Sequence, residues 1–423
     1  MKKTICMLLV VIMMAGMLIG VVSADEAKQA VVLLPGRTGD GSYTNVHVEL
    51  NEGETKYLLT TDDGYATYTG ASASNYNIKF EYATGGTPTL YLKNAYLENS
   101  QYMCIAFGRS KYGQLPDILK FDVVLVVEAD STILAKTRDP ENSLVGYTGI
   151  TFGNKGMSTL TGPGKLKVTA ESNAAISCSG EFLIKDLDLT AHSLMPTSWG
   201  TRNCIFCYNG NLTIDNCVMD LYAKTGPCIW NSEAQWEKVG DKYDITIKNG
   251  TKIKAVADIY STENAMIGAM GKIYVDSSDI ELISTGAASG QGIRCFSPKP
   301  TLTNVTAIGG KTQEKAAEFN PSKSATTYYF KCTATTGGGD VGDPTTDGVA
   351  DPTTNVNVPT IDNIDGDNKP AESKPADETT PKGDDTNEEK NGSNVVVTIV
   401  IAAVAVAVIA AGVFFFLKKK KAS

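Results

Sequence analysis

The chain has 423 residues and a formal net charge of −9, from 38 Lys and Arg against 47 Asp and Glu. No basic stripe stands out along it, which excludes nucleic acid as a partner. Only two histidines, His47 and His192, are present, too few for a histidine-built metal centre.

In chain order, the first element is a secretory signal. Lys2 and Lys3 precede an apolar run from Thr4 to Val22, and Val22-Ser23-Ala24 is a small-residue cleavage site. Residues 1–24 are therefore expected to be cleaved near Ala24, taking Cys6 with them. "LPGRTG" (Leu34 to Gly39) resembles the L-P-x-T-G sorting signal, but it is one residue too long and lies at the wrong end.

Residues 25–83 are less regular. "VHVELNEGETKYLLTTDDGYATYTG" alternates apolar and polar residues between turn signals and predicts a cap of antiparallel strands, since a stacked array needs its ends covered. The last regular segment of the body, "TTYYFKCTA", predicts a closing strand.

Residues 84–334 carry a repeat. An alternating stretch, a turn residue and a second alternating stretch recur as "LYLKNAYL", "TLTGPGKLKV", "FLIKDLDLTA", "LTIDNCVMDLYA", "ITIKNGTKIKAVA", "IYVDSSDIELIS" and "TLTNVTAI", with a weaker copy in "FDVVLVVEADSTI". The turn position holds Asn94, Gly162, Asp186, Asn216, Asn249, Ser277 and Asn304, residue types that tolerate left-handed or Asx bends. The second apolar position holds Leu160, Ile184, Ile214, Ile247, Val275 and Leu302. The spacing between these positions, with strand period and no helix signal, predicts one coil of a parallel β-helix (β-solenoid) per repeat. No coil can bury its inward side alone; stacking does so. Ile184, Ile214, Cys217, Ile247 and Val275 are the expected interior, with Asn94, Asn216, Asn249 and Asn304 the expected turns.

Residues 335–393 are rich in Asp, Thr, Pro and Asn, and the negative charge is concentrated there. Such a segment buries too little apolar area to offset its ordering entropy and is expected to be an extended stalk. Residues 394–417 follow, with an uncharged run of 23 residues from Val395 to Leu417, enough to span a bilayer once. The Lys-rich tail, 418–423, then lies in the cytoplasm and the body outside. Lys420-Lys421-Ala422-Ser423 also fits a dilysine retrieval signal, and Asn211, Asn249, Asn304 and Asn391 begin glycosylation sequons. The favoured reading is a prokaryotic cell surface.

Cys204 and Cys207 form a C-x-x-C with no second one to complete a zinc site. Cys217 falls where other copies have Leu187, Gly250, Ser278 and Val305. Cys178, Cys207 and Cys295 fall in the small-residue corners before each motif. Packed thiols are the favoured reading, and disulfides remain open in an exported chain.

From Asn77 to Ala307 the chain resembles a family of exported bacterial cell-surface proteins, right-handed parallel β-helices described as carbohydrate-binding-domain-containing or adhesin-like. The stretches that carry the resemblance are "PTLYLKNAYL", "VVLVVEADSTI", "STLTGPGKLKVTA" and "AAISCSGEFLIKDLDLTA". It implies a membrane-anchored, non-catalytic surface protein with no cofactor, whose partner is an extracellular glycan or a surface protein. It carries no catalytic signature onto numbered positions. Among the carboxylates, Asp186, Asp188, Asp220, Asp276, Asp279 and Glu281 are expected on strands, as a solvated outer face. No run concentrates carboxylates and arginines on adjacent coils, and His192 is expected in a loop. The two longest interruptions, "HSLMPTSWGTRN" and "NSEAQWEKVGDKY", each hold a tryptophan, Trp199 and Trp236, the expected sugar-stacking residues. Trp230 in "CIW" matches Phe206 in "CIF" and reads as a repeat position. A polysaccharide lyase or glycoside hydrolase of the same fold is the alternative, and a structural envelope spacer the second.

Overall fold

The computed structural model describes residues 30–38, 41–110, 113–114, 121–137, 147–154, 156–195, 203–232, 243–257, 265–285, 291–295, 299–320 and 329–335. The predicted signal peptide, stalk, membrane span and tail lie outside the described residues, as do Trp199, Arg202 and Trp236. Among the described residues no helix is long and apolar enough to cross a membrane.

The described chain is all-β, apart from a single 3-10 turn at Gln313–Lys315, and its strands form three large sheets of nine, eleven and ten strands. Each repeat contributes one strand to each sheet, stacked parallel on the repeat before it, an architecture consistent with a β-solenoid. The second sheet runs through Thr89–Leu92, Val123–Val127, Ser158–Thr161, Phe182–Lys185, Leu212–Asp215, Ile245–Lys248, Ile273–Asp276 and Thr301–Thr303. The third holds Tyr96–Asn99, Ser131–Ala135, Lys165–Ala170, Asp188–Ser193, Val218–Ala223, Lys252–Ala257 and Asp279–Ser284.

The repeat aligns residue by residue. Leu160, Ile184, Ile214, Ile247, Val275 and Leu302 stand in register as one column, extended by Leu125 and Leu90. All but Leu302 are buried, and burying one such side chain fully is worth roughly 1.5–3 kcal/mol. Leu97, Ile133, Val168, Ala191, Leu221, Ala255 and Leu282 form the facing column from the third sheet. Large residues at one end give way to alternating large and small ones.

Between these columns the chain bends left-handed. Positive φ occurs at Asn94 (51°), Asp186 (50°), Asn216 (51°), Asn249 (57°), Ser277 (48°) and Asn304 (53°). Asp186 therefore sits in a turn rather than on a strand. In the sixth repeat the bend takes two residues, Asn249 and Gly250, both at positive φ. The buried residue in register with Cys217 is consequently Thr251, whose Oγ1 accepts the Cys217 N–H at 3.2 Å, and not Gly250. Val305 also leaves the series, because Val305–Gly310 pairs antiparallel.

The first sheet is where the small-residue corners were expected. "CIAF", "AISC", "CIFCY" and "CIW" are short strands, Ile105–Phe107, Ile176–Cys178, Ile205–Tyr208 and Ile229–Ser232, joined by Ile150–Phe152, Ala265–Ala269 and Gln291–Cys295. Several are buried at every position, so they show no alternation for a periodicity test to find.

Antiparallel strands close both ends. Ala30–Arg37 lies antiparallel on Ile105–Phe107, and Glu54–Thr60, Ile78–Tyr82 and Thr89–Leu92 form an antiparallel series leading into the parallel stack. At the other end Tyr329–Ala334 pairs antiparallel with both Asp279–Ser284 and Val305–Gly310.

Candidate binding surface

The cysteines are interior. Cys178 and Cys207 are registered neighbours on the first sheet, continued by Asn231, Ala269 and Cys295. Cys204 and Cys228 precede the paired Ile205 and Ile229 and stack likewise. All eight cysteines among the described residues are free thiols, and all but Cys295 are buried. Burial pushes the Cys217 thiol up to about 11 and that of Cys332 up to about 12. These are packing groups rather than ligands, and no group of three His, Cys, Asp or Glu able to hold a metal occurs among the described residues.

Trp230 is nearly buried, in register between Phe206 and Gly268, where its indole occupies the space a β-carbon at Gly268 would need. His192 lies on the strand Asp188–Ser193, against the loop expectation, with its ring 5.9 Å from Tyr222 and nearly perpendicular to it. Its alternation partners Leu189 and Ala191 bury themselves, which leaves His192 half-buried on the outer side. Burial holds its pKa below the ordinary 6.5, with Asp220 opposing.

The carboxylates do alternate with cations on adjacent strands. One outer column of the second sheet reads Lys185, Asp215, Lys248, Asp276. Lys248 pairs with Asp215 at 3.3 Å. At the bends, Asn216 donates to Asp186 (2.8 Å), Asn249 to Asp215 (2.7 Å) and Asn304 to Asp276 (2.8 Å). These pairs stitch coil to coil along one edge. Asp188 and Asp279 share a column but are separated by Val218 and Lys252.

Among the described residues, an aromatic cluster lies where the cap meets the first coil. Tyr57, Lys79, Tyr91 and Val126 form one outward column, from strands separated widely in sequence. Tyr76 joins from the preceding turn, its ring centroid 5.6 Å from that of Tyr57. Lys79 Nζ stands 3.5 Å above the Tyr91 ring and pairs with Glu81 at 3.2 Å. Lys93 Nζ lies 5.3 Å from the Tyr76 centroid. Tyr76 donates its hydroxyl to Glu128 Oε2 at 2.8 Å; burial first and then Glu128 push that phenol up to about 12. Three half-buried phenol rings thus sit beside two carboxylates and two ammonium groups on the second sheet. Aromatic faces offer C–H contacts to a sugar ring, and the polar rim offers donors and acceptors to its hydroxyls. The sequence signal for it was alternation alone. Tyr57 and Tyr91 are ordinary strand positions and Tyr76 lies just before a strand, and only strand register brings them together.

A comparison with protein-family models, curated proteins and solved structures finds no match for this chain.

Proposed function

We propose that the chain is a membrane-anchored cell-surface protein whose β-helix head binds extracellular glycan without catalysis. The observation that carries this reading is the tyrosine cluster of Tyr57, Tyr76 and Tyr91 with Lys79, Glu81 and Glu128. It combines apolar ring faces with paired polar groups. The export signal, the stalk and the span after it supply the outward placement, and the loops of Trp199 and Trp236 would extend the contact.

The test uses the full chain in detergent against a panel of neutral plant, mucin and microbial polysaccharides. Retention on one class, reduced about tenfold or more in Tyr91→Ala or Tyr76→Ala with an unchanged circular dichroism spectrum, supports the reading. Retention unchanged in both variants removes the cluster from it, and no retention on any glycan removes glycan binding. A second reading, polysaccharide cleavage, draws on the column Asp220, Lys254, Glu281 on adjacent strands. Release of reducing ends from the same panel, abolished in Glu281→Gln, would favour it instead.

A further inference from the structure

The third sheet carries a second surface, at the opposite end of the stack from the tyrosines. A depression of about 400 Å³ opens over its last strands, lined by Val218, Lys252, Lys254, Asp279, Glu281, Lys331 and their neighbours. That volume is at the lower end of the range for small-ligand sites. Its floor is apolar where Val218 stands 53% exposed.

Elsewhere on the molecule, several lysines beside carboxylates pair with them: Lys136 with Glu98 at 2.8 Å, Lys165 with Asp188 at 3.5 Å, Lys248 with Asp215 at 3.3 Å. Here they do not. Lys252 is in register with Asp279, Lys254 with Glu281, and Glu281 with Lys331. Yet none of these lysines has an ion pair among the described residues.

The closing strand supplies other donors to the same carboxylates. Asp279 Oδ1 accepts the Ala334 N–H at 2.9 Å, and Glu281 Oε1 accepts the Tyr329 hydroxyl at 3.0 Å. Both carboxylates are engaged by Tyr329–Ala334, and three ammonium groups with unspent donors remain around one apolar floor.

We propose that this depression binds an acidic polysaccharide, with one carboxylate or sulfate group set among Lys252, Lys254 and Lys331 and the sugar ring resting on Val218. The polymer class rests on the glycan-binding reading above, but the site is separate from the tyrosine cluster. A polymer with one charge per ring suits it better than nucleic acid does. Duplex DNA places a charge about every 1.7 Å along its axis, and the interleaved Asp220, Asp279 and Glu281 repel so dense an array. Unpaired surface ammonium groups gain attraction from such a ligand that salt screens within roughly 8 Å at physiological ionic strength.

The full chain in detergent is titrated at low salt with polygalacturonate, with its fully methyl-esterified form, with dextran sulfate and with duplex DNA. The expected result is binding to polygalacturonate or dextran sulfate that falls at least tenfold in the combined Lys252→Gln, Lys254→Gln, Lys331→Gln variant and in Val218→Asp. The methyl ester is expected to bind at least tenfold more weakly than the uronate. The polymer retained, uronate or sulfate, identifies the anionic group. Equal binding of the ester and the free acid, undiminished binding by the triple variant, tighter binding of DNA than of either glycan, or binding of no acidic polymer would each overturn the proposal. Tyr91→Ala separates the two sites: it leaves acidic-polymer binding unchanged if this inference holds, whatever becomes of neutral-glycan binding.

Discussion

Asn216 offers a graded test of why these coils turn where they do. Its φ of 51° is left-handed, and its side-chain amide donates to Asp186 Oδ1 of the preceding coil at 2.8 Å. Left-handed backbone costs most residues with a β-carbon about 1–2 kcal/mol, a cost that Asn largely escapes through its short polar side chain. The exposed hydrogen bond is worth about 0.5–1 kcal/mol. Asn216→Gly loses the bond but adopts the bend freely, at an entropic cost of about 0.5–1 kcal/mol, so its total is about 1–2 kcal/mol. Asn216→Ala loses the bond and takes on the strain, for about 1.5–3 kcal/mol in total. Asn216→Val adds a branched β-carbon to the same bend and should exceed the Ala figure. Equilibrium urea unfolding followed by far-ultraviolet circular dichroism reads the order as midpoint shifts at constant slope. The expected order of loss is Gly, then Ala, then Val. If Val were no worse than Gly, the left-handed bend would not be what this position demands.

Phe152 is fully buried, its ring 5.2 Å from both Phe107 and Phe182; Phe152→Ala should cost about 3–5 kcal/mol. Hydrogen exchange should show the loss first at Ile150–Phe152 and its paired strands, and a cost below about 1 kcal/mol would contradict the packing described. The thiols of Cys217 and Cys295 are pushed up to about 11, chiefly by burial, from an ordinary 9.0. A raised thiol pKa contributes stability that is fully present below pH 9 and lost as pH rises through 11. The urea midpoint should therefore fall over that window, and less so in Cys217→Ala; an unchanged midpoint would refute it. His192, held below 6.5 chiefly by burial, favours the folded state above that value and opposes it as pH falls further. Because Asp220 raises the His192 pKa, Asp220→Asn should move the His192 midpoint lower still in a proton NMR titration. An upward move would contradict this electrostatic account.

The repeat was legible because its signals are local. Alternation at Leu160, Ile184 and Ile214 marks strands with one side buried, and Asn216 and Asn304 mark bends that few other residues tolerate. Strands of the first sheet were missed as strands, since Ile105–Phe107 is buried at all three positions and shows no alternation. His192 was misread for a related reason: beside Pro196 and the irregular stretch that follows, its place in an alternating series was easy to overlook. The one-residue slip at Gly250 came from aligning by motif length, which cannot register a two-residue bend.

By itself the sequence determined the strand period, the coil length and the turn residues, and it favoured packed thiols over disulfides. Each of these follows from a residue's own preference or from its nearest neighbours along the chain. Tertiary structure alone decided the surface chemistry. Tyr57, Tyr76 and Tyr91 meet because antiparallel register aligns strands from the cap and the first coil. Lys252, Lys254 and Lys331 come together around Asp279 and Glu281 because a strand from beyond Phe319 returns to pair with Asp279–Ser284. Strand pairing is set by backbone hydrogen bonds across long loops, so no local pattern announces which outward residues will share a face.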